Sequence, residues 1–136
     1  MRDVDEIRGV CMHAALEAFA SRPRSPWRFA ELLAVVKPLE GLFSHTTIIV
    51  DRGRLRRALR WSIEWGNVRK TASGYRLTKH GARSIAAGRH NRRIYFDKAA
   101  RRRAERLSDR ASRALWAAEA DRIWRKKPKA AAGARR

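Results

Sequence analysis

The chain has 136 residues, of which 33 are Lys or Arg and only 13 are Asp or Glu, so its net charge is +20. This length allows one domain with a modest core plus an extension, and an apolar fraction of 44% is too high for a wholly disordered chain. One cysteine excludes an internal disulfide and a multi-cysteine metal site, and no apolar run approaches the ~18–20 residues that a membrane span needs.

The first predicted element is a helix that begins near Asp3, where Glu6 follows three residues later as in a capping box. Apolar side chains then recur every three or four residues as far as Phe19, and Cys11 lies on this apolar face, so we expect it to be a small core residue. The acidic start does not resemble a signal or transit peptide. A soluble cytoplasmic protein is therefore expected.

A second helix is predicted over residues 29–36, after a proline-rich break and a very short strand at 27–29. Pro38 and Gly41 end it. In the connection that follows, residues 46–50 are β-branched, which favours a strand, although the pattern also allows a helix.

The third helix is the most informative predicted element. Asp51 is a suitable N-cap, and the helix should run to about Trp65, where Gly66 and Asn67 suit a C-terminal cap. A helical wheel predicts a buried arc formed by Leu55, Ala58, Leu59, Ser62 and Ile63. The opposite arc carries four arginines and Trp61, and mutually repelling arginines without alternating acids indicate a face that binds phosphate.

Charge is concentrated in and after this helix. Residues 1–50 hold equal numbers of basic and acidic side chains, whereas residues 51–93 hold thirteen basic and two acidic ones and residues 94–136 hold fourteen and five. A first segment without net charge, followed by a strongly cationic one, is typical of a folded protein that binds a polyanion. Nucleic acid is the expected polyanion.

A β-hairpin is predicted next, with strands at 67–71 and 75–78 joined by a turn at 71–74. Thr78 can then cap a fourth helix. The run from Trp65 to Gly81, WGNVRKTASGYRLTKHG, resembles the helix-to-wing passage of winged helix-turn-helix regulators. With the three preceding helices, the resemblance covers about residues 3–88. One departure from the family is the connection over 39–50, which is longer than the usual tight turn.

The resemblance implies an α+β, mostly helical fold, with a three-helix core and a hairpin wing. It also implies that the third helix enters the DNA major groove and that the wing contacts the backbone or a minor groove. The residues predicted to contact DNA are Arg52, Arg54, Arg56, Arg57, Arg60, Trp61, Arg69, Lys70, Arg76, Lys79 and Arg83. Trp61 has a second interpretation, in which it seals the edge of the core.

The C-terminal third lacks Pro and Gly from Ile94 to about Lys126, which predicts one long helix after a domain formed by residues 1–90. Its predicted apolar stripe consists of Phe96, Ala100, Ala104, Leu107, Ala111, Ala114, Leu115 and Ala118. This stripe could form a homodimer seam or fold back on its own domain. Residues 127–136 read as a disordered basic tail.

The function expected from these patterns is sequence-specific binding of double-stranded DNA by a prokaryotic or phage transcriptional regulator in the cytoplasm, associated with the nucleoid. A packaging protein without sequence preference and an RNA-binding component of a ribonucleoprotein are the alternatives. An enzyme is not expected, because no residues show the spacing of a nucleophile with its base or of a two-metal site. No cofactor, metal or catalytic residue is predicted.

Overall fold

A computed structural model describes residues 2–127, with side chains described from Asp5 onward, so Asp3, Val4 and the predicted tail beyond Lys127 lie outside the described side chains. Over these residues the chain is α+β and mostly helical, as predicted. The helices are α1 (Arg2–Ala18), α2 (Phe29–Val35), α3 (Arg52–Glu64), α4 (Lys79–Phe96), α5 (Lys98–Glu105) and α6 (Asp109–Arg125), with a 3-10 turn at Phe19–Ser21. The strands are β1 (Leu39–Glu40), β2 (Thr47–Ile48), β3 (Val68–Thr71) and β4 (Gly74–Leu77).

The core lies around α1, which packs against both α3 and α4. The largest fully buried side chains include Phe19, Leu32, Leu55, Leu59, Ile85 and Val68. Cys11 is only 1% exposed, which confirms it as a core residue, and burial raises the pKa of its thiol. The core therefore draws on every helix of the first 90 residues.

The predicted caps of α3 are confirmed at both ends. The carboxylate of Asp51 accepts a hydrogen bond from the Arg54 N–H at 2.8 Å. At the other end, Gly66 has a positive φ of 77° and donates to the Ile63 carbonyl at 3.1 Å. The Asn67 N–H donates to the Ser62 carbonyl at 2.8 Å, which completes a Schellman motif.

Four of the five residues predicted to be buried on α3 are buried, and Ile63 is not. Ile63 is 38% exposed. Ile63 lies in the last turn, about 40° around the helix beyond Leu59, which forms the edge of the buried stripe. The apolar stripe of α3 therefore ends one residue earlier than predicted.

The predicted hairpin forms, with β3 and β4 pairing antiparallel and Val68 opposite Leu77. The predicted strand at 27–29 is reduced to one bridge, in which the Trp27 N–H and carbonyl both pair with Tyr75 at 2.7 Å. This bridge attaches the hairpin to the segment that precedes α2.

The long connection between α2 and α3 folds into a second, smaller hairpin. Leu39 of β1 pairs with Ile48 of β2, so the predicted strand over 46–50 is shorter than expected. The Glu6 carboxylate accepts hydrogen bonds from the Phe43 N–H at 2.7 Å and the Ser44 N–H at 3.0 Å. The helix already begins at Arg2, so Glu6 anchors this loop to α1 instead of closing a capping box.

The anchoring contact predicts a pH dependence of stability. The hydrogen bond from Ser44, reinforced by the one from Phe43, holds the pKa of Glu6 below its ordinary value. Because the folded-state pKa is depressed, the contribution is complete above the unfolded pKa of about 4.3 and is lost as pH falls through the folded pKa. Thermal melts between pH 7 and 3 should show a larger decline for the wild type than for Glu6→Gln.

The exposed Glu64 offers a matched control, since no hydrogen bond to its carboxylate is found among the described residues. The melting temperature of Glu64→Gln should fall by the same amount as that of the wild type as pH decreases from 7 to 3. If the melting temperature of Glu6→Gln falls by that amount too, the Glu6 carboxylate does not hold the loop.

The prediction of one helix over residues 94–126 is wrong. The predicted fourth helix continues through residue 96 as α4, and two N-caps then start new helices. Asp97 caps α5 by accepting from the Ala99 N–H at 2.9 Å, and Ser108 caps α6 by accepting from the Ala111 N–H at 3.2 Å. Such short polar side chains compete with helical continuation even where Gly and Pro are absent.

The second half of this segment folds back, because α6 packs along α4. An ion pair joins Arg93 to Glu119 at 2.7 Å, and Ala120 and Ile123 are buried. The predicted stripe instead faces outward over much of its length, with Leu115 57% exposed. The helix α6 therefore folds back on its own domain, but through Ala120 and Ile123 and not through the predicted stripe. A homodimer stays a prediction without its continuous helix.

Candidate nucleic-acid interface

The outer face of α3 presents free positive charge. Its exposed cations are Arg52, Arg56, Arg57 and Arg60. Among the described residues, no carboxylate lies at ion-pairing distance from any of them. Because α3 buries Leu55 and Leu59 on the opposite side, these guanidiniums are held at the surface by the packing of the helix itself.

Two predicted contacts, Arg54 and Trp61, turn toward α1 instead. Arg54 is half-buried and donates from Nη1 to the Ile49 carbonyl at 2.9 Å. The Arg8 guanidinium lies 4.5 Å from the centre of the Trp61 ring, which is also half-buried. Both side chains, together with the exposed Arg57, line a shallow cavity of about 240 Å³ between α1 and α3. In this structure Trp61 seals the edge of the core.

The start of α2 supports two of the exposed arginines. The Phe29 ring lies 5.3 Å from the Arg56 guanidinium and 5.8 Å from that of Arg52. Arg28 precedes Phe29 and is exposed, although sequence reasoning did not select it. Its position next to Trp27, which bridges to the hairpin, places a further cation between α3 and β4.

The hairpin carries an arrangement that is unfavourable without a bound anion. Arg69 and Arg76 are directly opposite each other in the ladder, and both are exposed. Like charges in such cross-strand pairs are destabilising. The neighbouring Lys70 ammonium lies 5.5 Å from the Tyr75 ring, so it is oriented along the same hairpin. A polyanion at this surface would remove the repulsion.

The start of α4 joins this surface to the end of α3. The Thr78 hydroxyl donates to the Gly66 carbonyl at 2.6 Å and accepts from the Gly81 N–H at 2.9 Å. Lys79 and Arg83 are exposed, and the first turn of α4 has no acidic residue. Cations at the positive end of a helix dipole are unfavourable alone and become favourable with a bound anion.

The structure thus brings the predicted residues onto three connected elements that meet around Gly66. Nine of the eleven are exposed, and Arg54 and Trp61 are the two half-buried ones. We call the nine exposed cations the proximal basic surface. Its members are Arg52, Arg56, Arg57, Arg60, Arg69, Lys70, Arg76, Lys79 and Arg83. Comparisons with protein-family models, curated proteins and solved structures found no match.

Sequence reasoning also missed Trp65, which is 70% exposed at the end of α3, beside the hairpin. An exposed indole next to cations can stack on a sugar or base. Within residues 2–127, no helix combines the length and hydropathy needed to cross a bilayer. His, Cys, Asp and Glu side chains in the same range form no cluster of three that could hold a metal ion.

Proposed function

We propose that this chain binds double-stranded DNA as a winged helix-turn-helix regulator of transcription in a prokaryote or phage. In this proposal α3 enters the major groove, and the β3–β4 hairpin contacts the backbone or a minor groove. The order of helix, bridging segment, helix, helix and hairpin is compatible with that fold. The observation that carries the proposal is the proximal basic surface, with nine exposed cations and no acidic partner for them among the described residues.

Affinity in this proposal comes from phosphate contacts. Each cation that neutralises a phosphate releases condensed counterions, and the slope of log affinity against log salt changes by about −0.9 for each contact. Such contacts position the protein on the duplex without reading sequence. A steep decline of affinity with salt is therefore the first property expected.

Sequence reading requires side chains that reach base edges. The major groove is about 12 Å wide and admits a helix such as α3. Arg56, Arg57 and Arg60 are exposed along it and can each form two hydrogen bonds with guanine O6 and N7. Each such pair discriminates by roughly 1–3 kcal/mol against a wrong base. Arg54 is less available, because its guanidinium is already bonded to the Ile49 carbonyl.

A second candidate is a packaging or architectural protein that binds nucleic acid without sequence preference. It is favoured by the further exposed cations on α5 and at the start of α6, which follow the C-terminal end of α4 and lie outside α3 and the hairpin. An RNA-binding component of a ribonucleoprotein is the corresponding alternative for RNA. Both DNA-binding functions would act in the cytoplasm, at the nucleoid.

A competition titration separates these functions. A duplex selected by the protein from a randomised pool is challenged with random duplex and with structured RNA at several salt concentrations. A regulator retains a preference of at least ~10³ for the selected duplex as salt rises. If affinity for the selected duplex and for random duplex falls equally as salt rises, the protein is a packaging protein. If structured RNA competes more strongly than either duplex, it is an RNA-binding protein.

A further inference from the structure

A second group of exposed cations lies beyond the C-terminal end of α4, on α5 and the first turns of α6. We call it the distal basic surface, and its members are Lys98, Arg102, Arg103, Arg106, Arg110 and Arg113. All six are exposed, and no described carboxylate lies at ion-pairing distance from them. The neighbouring Arg101, by contrast, pairs with Glu105 at 3.6 Å.

The fold brings these cations together. Ala100 is buried and Ala104 half-buried, so α5 turns its small side chains inward and its long cationic ones outward. The chain then turns between Arg106 and Ser108, where the Leu107 N–H donates to the Ala104 carbonyl at 3.1 Å. Cations from the end of α5 and the start of α6 consequently meet at one corner, whereas a continuous helix would have distributed them along a rod.

The helix α3, which carries four of the nine proximal cations, and the helix α4, whose C-terminal end leads into α5, pack on different sides of α1. Cys11 and Arg8 face α3, where Arg8 covers Trp61. His13 faces α4, where it contacts Gly88 so closely that a side chain at that position would collide with the imidazole ring. Residues 11 and 13 are about 200° apart around a helix axis, so α3 and α4 pack on roughly opposite faces of α1.

The helix α4 separates the two surfaces and is fixed to the rest of the fold by hydrogen bonds. The helix α4 starts at the hairpin and has 18 residues, which corresponds to about 27 Å along its axis. Arg89 forms two hydrogen bonds of 2.7 Å with Glu17 of α1, and Arg92 donates to the Glu40 carbonyl at 2.7 Å. These contacts fix α4 against α1 and β1, so α5 begins about 27 Å along α4 from the hairpin.

From this geometry we infer that one chain binds two nucleic-acid segments, one on each basic surface, and so bridges two duplexes. The inference rests on the proposed function, because it takes the proximal surface as the first DNA site. A duplex in contact with α3 lies outside α3, on the side away from α1. The distal surface begins beyond the far end of α4, about 27 Å along that helix from the hairpin, so in this inference its phosphate partner belongs to a second segment.

The test uses the full chain and two copies of one duplex, the first fixed to beads by biotin and the second carrying a fluorophore. The wild type should retain the fluorescent duplex on the beads. The distal variant Arg102→Ala, Arg103→Ala, Arg106→Ala should bind the fixed duplex within about tenfold of the wild type but retain at least ~10-fold less of the fluorescent one. The control variant Arg122→Ala, Arg125→Ala, Lys126→Ala has the same net charge and should bridge like the wild type.

A distal variant that binds the fixed duplex more than about tenfold weaker than the wild type overturns the inference, because both surfaces then contact one duplex. If the distal variant bridges like the wild type, the inference is overturned and the proposed function stands. A proximal variant, Arg56→Ala, Arg57→Ala, Arg60→Ala, that binds the fixed duplex as tightly as the wild type overturns the proposed function itself. If an equimolar mixture of the proximal and distal variants restores bridging, the duplexes are joined between chains and single-chain bridging is excluded.

Discussion

Replacement of Arg56, Arg57 and Arg60 by Ala is expected to weaken binding of a duplex about 100-fold near 0.15 M salt. That change corresponds to about 2.7 kcal/mol, within the range for loss of a few phosphate and base contacts. The slope of log affinity against log salt should become less steep by up to about 2.7, because three counterion-releasing contacts disappear. Fluorescence anisotropy titrations at four or more salt concentrations measure both quantities.

The same variant should melt within about 2 °C of the wild type. All three side chains are exposed, and substitutions at such positions usually change stability by less than about 0.5 kcal/mol. The variant Arg122→Ala, Arg125→Ala, Lys126→Ala removes the same charge from the end of α6 and should lose less than about tenfold in affinity. Equal losses in the two variants would mean that net charge, and not the face of α3, determines binding.

Gly74→Val should strongly lower the free energy of unfolding, because the substitution detaches the hairpin from Trp27. Gly74 has a φ of 129°, which a β-branched residue rarely adopts, and an added Cβ would collide with the Trp27 carbonyl oxygen. That carbonyl accepts the Tyr75 N–H, so relief of the clash would break the bridge that attaches the hairpin. We expect a cost of about 2–4 kcal/mol and a decrease of roughly 10 °C in melting temperature.

Duplex binding by Gly74→Val should also weaken at temperatures where the variant is folded, since Arg69 and Arg76 move with the hairpin. Gly9→Ala is the matched control, because a Cβ at that position in α1 meets no atom within 4 Å. It should stabilise the chain by about 0.5–1 kcal/mol through higher helix propensity. A Gly74→Val protein that melts with the wild type would show that the hairpin does not approach Trp27 this closely.

Local signals were sufficient to predict α3 and the β3–β4 hairpin. Asp51 and Gly66 cap the helix through hydrogen bonds to residues within five positions, and the turn at 71–74 closes a ladder of adjacent residues. Interactions of this range depend on residue types that a reader of the sequence sees side by side. The α+β, mostly helical class followed from the same signals.

Long-range contacts decided what the sequence patterns did not predict. The hairpin over 39–48 is held by Glu6, which lies 37 positions before Phe43 in the chain. No residue near position 43 indicates that Glu6 is its hydrogen-bond partner. The break at Asp97 and the one at Ser108 were hidden in a run rich in Ala and Arg, where helix propensity dominated the prediction. These breaks are favoured because α6 can then bury Ala120 and Ile123 against the rest of the fold.

The sequence by itself determined how much positive charge the chain carries, where along the chain it lies, and that Arg56, Arg57 and Arg60 lie on the side of α3 away from the core. Only the tertiary structure decided that Arg54 and Trp61 pack against α1, that Arg69 is opposite Arg76, and that α6 folds back along α4. The physical reason is that the periodicity of a helix specifies its apolar side locally. Which element covers that side, and therefore where two charged faces point relative to each other, depends on packing between residues far apart in the chain.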